Sequence, residues 1–168
     1  ETGVSVDHVP PHAGGDGLQS ASADFDFGTG DFSLFGWIYW TSGGNEDILR
    51  HRPAGAWGTE PGWVLDGGNY ANAMRFETGC GIEDDAGNSV NIPSRVSAGF
   101  GLNTWGFIGI TVDRTADQMI FWGNNVARST LDISSLTGSV TSTSDFIWQQ
   151  AACYIDAWGV WNRLITSD

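Results

Sequence analysis

The chain has 168 residues, enough for one domain with a full core and few for two. Twenty acidic residues face seven basic ones, all seven of them arginine, for a formal charge of −13; that surface repels nucleic acid and anionic lipid and excludes both as partners. No apolar run approaches the roughly 18 residues that a membrane-spanning helix needs, while nine Trp, nine Phe and three Tyr supply ample surface for a core.

In chain order, Glu1-Thr2-Gly3 carries no basic start and no apolar run, and reads as an expression scar left by a cleaved leader. Residues 4–168 then read as one domain excised from a longer protein. His8 and His12 have the spacing of a helical zinc pair, but Pro10-Pro11 lies between them and forbids the helix. Segments rich in β-branched and aromatic residues predict strands near Ser20–Phe25, Ser33–Thr41, Asp47–Arg52, Gly62–Asp66, Ala73–Thr78 and Ser89–Pro93. Further strands are expected near Trp105–Asp113, Gln118–Gly123, Val126–Leu131, Asp145–Trp148 and Ala152–Asn162. Turn signals such as Gly43-Gly44-Asn45, Gly67-Gly68-Asn69 and Gly123-Asn124-Asn125 separate them, because Gly and Asn tolerate positive φ. No segment holds a clean 3.6-residue period. The expected fold is all-β, a two-sheet antiparallel jelly-roll sandwich.

Two of these segments are apolar on both faces. Phe32, Leu34, Gly36, Ile38 and Trp40 fall on one side of the first; Ser33, Phe35, Trp37 and Tyr39 fall on the other. Trp105–Asp113 repeats the pattern, with small Gly109 and Thr111 opening a shallow trough on its second face. A sheet covered on one side only would alternate apolar with polar. The second face is therefore either covered by loops or a binding surface.

The segments also resemble, in order, the laminin-G-like and concanavalin A-like jelly rolls. Asp31-Phe32-Ser33-Leu34-Phe35-Gly36-Trp37-Ile38 is similar to the early strand of that family, and Gly62-Trp63-Val64-Leu65-Asp66 with Met74-Arg75-Phe76 to its central hairpin. Asn103 to Asp113 resembles the strand Trp-His-His-Val-Ala-Val-Thr-Tyr-Asp, with Gly106 and Phe107 in place of the histidines. Gln118 to Asn124 stands where the family has Leu-Tyr-Val-Asp-Gly, and Tyr154 to Thr166 resembles its closing Ile-Asp-Glu-Val-Arg-Ile-Trp-Asn-Arg. The resemblance covers about Leu18 to Asp168. It implies a sandwich used for recognition, with Trp37, Trp105, Trp158 and Trp161 at core positions. It also implies a structural calcium on Asp156, supported by carbonyls near His8–Gly14 and Gly43–Asn45; the alternatives for Asp156 are a solvated carboxylate or a partner for Arg163. A second calcium among Asp47, Asp66, Glu83, Asp84 and Asp85 is a lesser expectation.

Catalytic signatures are thin. The Glu-x-Asp-x-x-Glu strand of related glycoside hydrolases is absent, and Glu83-Asp84-Asp85, between Gly81 and Gly87, reads as a solvated turn. No nucleophile elbow or phosphate loop is present. Cys80 and Cys153 form either one disulfide, in an oxidising compartment, or two buried thiols. Trp57 and Trp63 flank the turn Gly58–Gly62, and with Trp40 and Trp148 they are the candidate ligand-binding tryptophans, suited to stacking on a sugar ring. The leading expectation is a non-catalytic domain, extracellular or on a cell or virion surface, that binds glycans. A self-packing structural component is the second reading, and a hydrolase using Glu77 and Glu83 the third. Many carboxylates without lysine also fit a salt-loving source. The oligomeric state is open.

Overall fold

The computed structural model describes residues 4–6, 18–20, 25–41, 46–52, 60–68, 77–91, 96–148 and 153–165, with backbone alone at 4–6, 18–20, 46, 77–80 and 148. These residues contain β1 (Val4–Val6), β2 (Leu18–Ser20), β3 (Phe32–Trp40), β4 (Glu46–His51), β5 (Gly62–Gly68), β6 (Glu77–Glu83) and β7 (Ser89–Asn91). They continue with β8 (Val96–Ser97), β9 (Trp105–Asp113), β10 (Gln118–Gly123), β11 (Val126–Asp132), β12 (Phe146–Trp148) and β13 (Cys153–Trp161). One sheet has six strands in the order β1-β13-β3-β9-β10-β11; the other runs β2-β12-β4-β5-β6-β7, with β8 also paired to β6. Every strand pairing among the described residues is antiparallel.

The long central strands obey the period of two. On β3 the residues Phe32, Leu34, Ile38 and Trp40 are fully buried, and on β9 so are Ile108, Ile110 and Val112. They meet Ile48, Leu49, Trp63, Leu65, Ile82 and Phe146 of the opposite sheet. Each large apolar side chain closed away from water contributes about 2 kcal/mol, and this interlayer is the core.

A bulge in β13 shapes the six-stranded sheet. Its register against β3 slips between Asp156 and Gly159, and Ala157 takes φ +48°. The slip turns Trp158 inward, where its indole Nε1 donates to the Trp37 carbonyl at 2.9 Å. The ring lies against Gly36, where any Cβ would collide with it. Glycine at this position is thus a packing requirement.

Two expected strands are met only in part among the described residues. Of Ser20–Phe25, Ser20 ends β2 and Phe25 lies in no strand, with 21–24 outside the described residues; of Ala73–Thr78, Glu77 and Thr78 open β6, with 69–76 outside them. Pairing lengthens β6 through Gly79 and Gly81, which have no side chains to announce a strand. The acidic triplet departs from a solvated turn: Glu83 and Asp84 are each 1% exposed. Asp84 accepts from the backbone N–H of Ala86, Asn88, Thr137 and Gly138 and from the Asn88 side chain, at 2.8–3.2 Å. It therefore ties the β6–β7 turn to the loop after β11. Burial pushes its carboxyl up, but hydrogen bonds from Gly138, Asn88 and Thr137 together outweigh burial and hold it below its ordinary value.

His51 is also interior, 1% exposed among Phe25, Trp63 and Phe146. Its Nε2 lies 2.8 Å from an Asp26 oxygen that also accepts the Ser142 N–H. The pair braces the loops at one end of the sandwich.

Candidate binding face

The outer face of the six-stranded sheet is aromatic. Pairing sets its side chains in rows across β13, β3 and β9: Tyr154–Tyr39–Trp105, then Asp156–Trp37–Phe107, then Gly159–Phe35–Gly109, then Trp161–Ser33–Thr111. The third and fourth rows continue on β10 to Trp122 and Ile120. Ring contacts gather the array into two adjoining groups. Trp37 meets Phe107 edge-on at 5.5 Å, Phe107 stacks on Phe35 at 5.6 Å, and Phe35 touches Trp161 at 6.4 Å. Beside them Tyr39 contacts Trp105 at 5.6 Å and Tyr154 at 5.8 Å. Such offset and edge contacts hold each ring in place while its remaining surface stays open.

Trp37 and Trp105 are 43% and 39% exposed, which corrects the core positions implied for them by resemblance; Trp158 is buried and Trp161 half-buried. The trough expected at Gly109 and Thr111 is filled by a ring over Gly109 and stays open at Thr111, which lines a depression described below. Phe35 lies over Gly109, and Trp122 Nε1 donates to the Thr111 hydroxyl at 3.1 Å.

A depression of about 360 Å³ opens beside the array, lined by Trp37, Phe107, Asn124 and Asn125. Its polar wall is the β10–β11 hairpin. Asn124 and Asn125 both take positive φ, at 49° and 59°, as a two-residue turn of this twist requires. The tip is then locked to β9: the Asn124 N–H donates to the Phe107 carbonyl at 2.7 Å, and the Asn124 side-chain oxygen accepts the Phe107 N–H at 2.9 Å. At the other end of the face the segment after β13 folds back. The Ser33 hydroxyl donates to the Arg163 carbonyl and accepts the Ile165 N–H, so Leu164 and Ile165 become a wall over the sheet. A second depression, about 230 Å³, lies there.

The outer face of the seven-stranded sheet differs. Arg50 pairs with Val64 and Asp47 with Asp66 in register, while Glu83 pairs with Gly62 beside Arg52. Arg50 Nη1 donates to Asp47 at 3.0 Å. Arg52 is 6% and Glu83 1% exposed. Burial lowers the Arg52 guanidinium from its ordinary value, against the Glu83 and Asp47 carboxylates, which raise it.

Of the four expected ligand-binding tryptophans, Trp40 and Trp63 are fully buried in the core and form no stacking surface. Trp57 lies outside the described residues, and Trp148 stands opposite Leu49 in register with its side chain outside them. The parity of the strands carried the missed signal. Trp63 shares a face with Leu65, while Asp66 falls on the other; Trp37 shares its face with Ser33.

Asp156 is half-buried in the row of Trp37. No group of three His, Cys, Asp or Glu among the described residues could hold a metal ion. The carbonyls expected to complete a calcium site, at His8–Gly14 and Gly43–Asn45, lie outside them; the residues present do not make a cage on their own. Cys153 is buried opposite Trp40 in one sheet, and Cys80 stands opposite Leu65 in the other. No helix among the described residues is long and apolar enough to cross a membrane.

No protein-family model and no curated protein matches this sequence. Solved structures share the fold. The binding domain of botulinum neurotoxin serotype G superposes with a TM-score of 0.68 at 13% identity, over 98% of this chain and 42% of that one. The CBM40 module of the Ruminococcus gnavus IT-sialidase, solved with α2,3-sialyllactose, gives 0.60 at 12% identity, over 99% and 92%. The binding domain of botulinum neurotoxin DC, in complex with rat synaptotagmin II, gives 0.58 at 17% identity, over 82% and 33%. The chain thus spans less than half of the toxin domains and nearly all of the sialidase module. The fold is a two-sheet antiparallel jelly-roll sandwich.

Proposed function

We propose that this domain is a non-catalytic glycan-recognition module that works outside the cell, with the outer face of the six-stranded sheet as its contact surface. The observation that carries the reading is the exposed ring array around Trp37, Phe107 and Trp105 beside the amide-lined depression. Sugar rings present C–H faces that pack on aromatic rings, and hydroxyls that pair with amides such as Asn124 and Asn125. A few convergent polar groups on an apolar floor are the usual make-up of a small-ligand site. Recognition by the toxin domains and by the sialidase module supports the class without naming a ligand. The likeness to laminin-G and concanavalin sandwiches, read from the sequence, points the same way. No step depends on calcium.

The test is a glycan array probed with the wild type and a Trp37→Ala, Phe107→Ala double variant whose melting confirms folding. Saturable binding by the wild type and at least about tenfold weaker binding by the variant is expected. Equal binding by both proteins would place the site elsewhere. Absence of glycan binding, together with concentration-dependent dimerisation that the double variant abolishes, would favour the self-packing reading.

A further inference from the structure

We infer that the two depressions are parts of one extended site for a linear, neutral polysaccharide that lies along β10, an inference that rests on the glycan-recognition reading above. Both open on the same face. Asn124, at the end of β10, lines the first; Asp113, Gln118, Ile120, Trp122, Leu164 and Ile165 line the second. On β10 the outward residues run Gln118, Ile120, Trp122 and then the Asn124 turn, so the strand itself joins the two. From Gln118 to Asn124 the strand advances by about 20 Å at roughly 3.3 Å per residue, the length of several sugar rings in a row rather than one. A pocket for a single terminal sugar needs no second hollow in line with the first.

The floor between them is also fixed. Trp122 is held by its hydrogen bond to Thr111, and Phe35 occupies the space over Gly109, so the middle of the strip is a shallow aromatic platform. A chain can pass over such a platform. Polar groups stand at both ends, Asn124 and Asn125 at one, Gln118 and Asp113 at the other, as a ligand with hydroxyls along its whole length requires.

Charge selects against acidic glycans. Asp113 lines the second depression and Asp156 shares the row of Trp37. Lysine is absent from the sequence, and among the described residues no arginine lines either depression. Arg114 is turned away to the Leu136 and Gly138 carbonyls, and Arg128 donates to the Gly123 carbonyl. A sialic acid or uronate carboxylate would approach the Asp113 carboxylate with no guanidinium lining either depression to receive it. A neutral chain carries no such penalty.

The experiment is affinity electrophoresis in gels cast with β-glucan, xylan, galactomannan or dextran, and with polygalacturonate as the anionic counterpart. Titrations with disaccharide to hexasaccharide fragments of the retaining polymer, and with sialyllactose, follow. Retardation by a neutral polymer and not by polygalacturonate is expected, with affinity climbing by about tenfold from disaccharide to the longer fragments. Gln118→Ala, at an exposed position that burdens folding little, and Trp122→Ala should flatten that climb, lowering affinity for the longer fragments more than for the disaccharide. Trp37→Ala should remove both. Affinity already maximal at the disaccharide and indifferent to Gln118→Ala would overturn the extended site while leaving glycan recognition standing. Preference for sialyllactose or polygalacturonate would overturn neutrality alone. Retention by none of these probes would overturn the extended site, and with a blank glycan array the recognition reading as well.

Discussion

On one outer face of the sandwich Trp37 and Trp105 keep about two fifths of their surface in water, while on the opposite face Arg52 and Glu83 carry charge and are closed away from it. Ordinary burial preferences would assign these residues the other way round. Wet rings and dry charges have different explanations. Apolar surface left open forgoes about 25 cal/mol for each Å² that could have been buried, so a contiguous exposed array points to something that covers it part of the time. Charges held out of water persist only when neighbours compensate them, and removing one partner exposes that dependence. The first face is therefore read as serving a ligand and the second as serving the fold.

Substitutions can break that contrast. The largest effect is expected for Asp84→Ala, which strands several buried donors at once and should lower stability by about 3 kcal/mol in denaturant titration. Once folded, the variant should bind glycan as the wild type does. The same residue sets a pH dependence. Its folded pKa lies below the unfolded value, so its contribution is complete above about pH 4 and drains away as pH falls through the folded value. Melting curves taken downward from neutral pH should fall more steeply for the wild type than for Asp84→Asn, and parallel curves would show that the hub does not titrate.

Next in size is Glu83→Gln, which removes a counter-charge near buried Arg52 and should cost about 2 kcal/mol, again without altering glycan binding. A change in binding larger than the change in stability would mean that the charged face, too, meets a ligand. The smallest stability effect is expected for Trp37→Ala, within about 1 kcal/mol of the wild type because much of the ring is already solvated. If its melting falls by as much as that of Asp84→Ala, the ring is structural and the contrast collapses.

Much of this architecture can be read from alternation alone. In Phe32–Trp40 and Trp105–Asp113 the aliphatic residues all fall on one parity, and Ser33 and Asp113 fall on the other; that pattern identifies the core face and leaves Trp37 and Trp105 outside. Resemblance assigned those two tryptophans to the core because a family pattern records which residue types recur, and not which way a given strand faces. Trp63 was misread for a different reason. Its place next to a Gly-rich turn suggested exposure, although Leu65 on the same parity marks the buried side. The burial of Glu83 and Asp84 was not legible, since it depends on Arg52 and on the 137–138 backbone, both distant in sequence. Both depressions depend on such long-range pairings as well, with Asn124 brought to Phe107 and Ile165 to Ser33.

The position of β13 governs when the proposed contact face forms. Strands β4 to β7 pair with near neighbours in sequence, and β9 to β11 form a local meander, so both can organise early. The closing strands come later: β12 sits between β2 and β4 in one sheet and β13 between β1 and β3 in the other, and β13 joins residues more than a hundred positions apart, as in the pairing of Trp161 with Ser33. Such closure is slow, because the entropy of a long loop is lost before the contacts form. Until Cys153–Trp161 has emerged and docked, β3 is paired on one side only, by β9, Trp158 is missing from the core, and the aromatic floor has no far edge. A nascent or unfolding chain therefore presents its rings beside an open strand edge, and the proposed contact surface and an aggregation-prone surface are the same residues at different times.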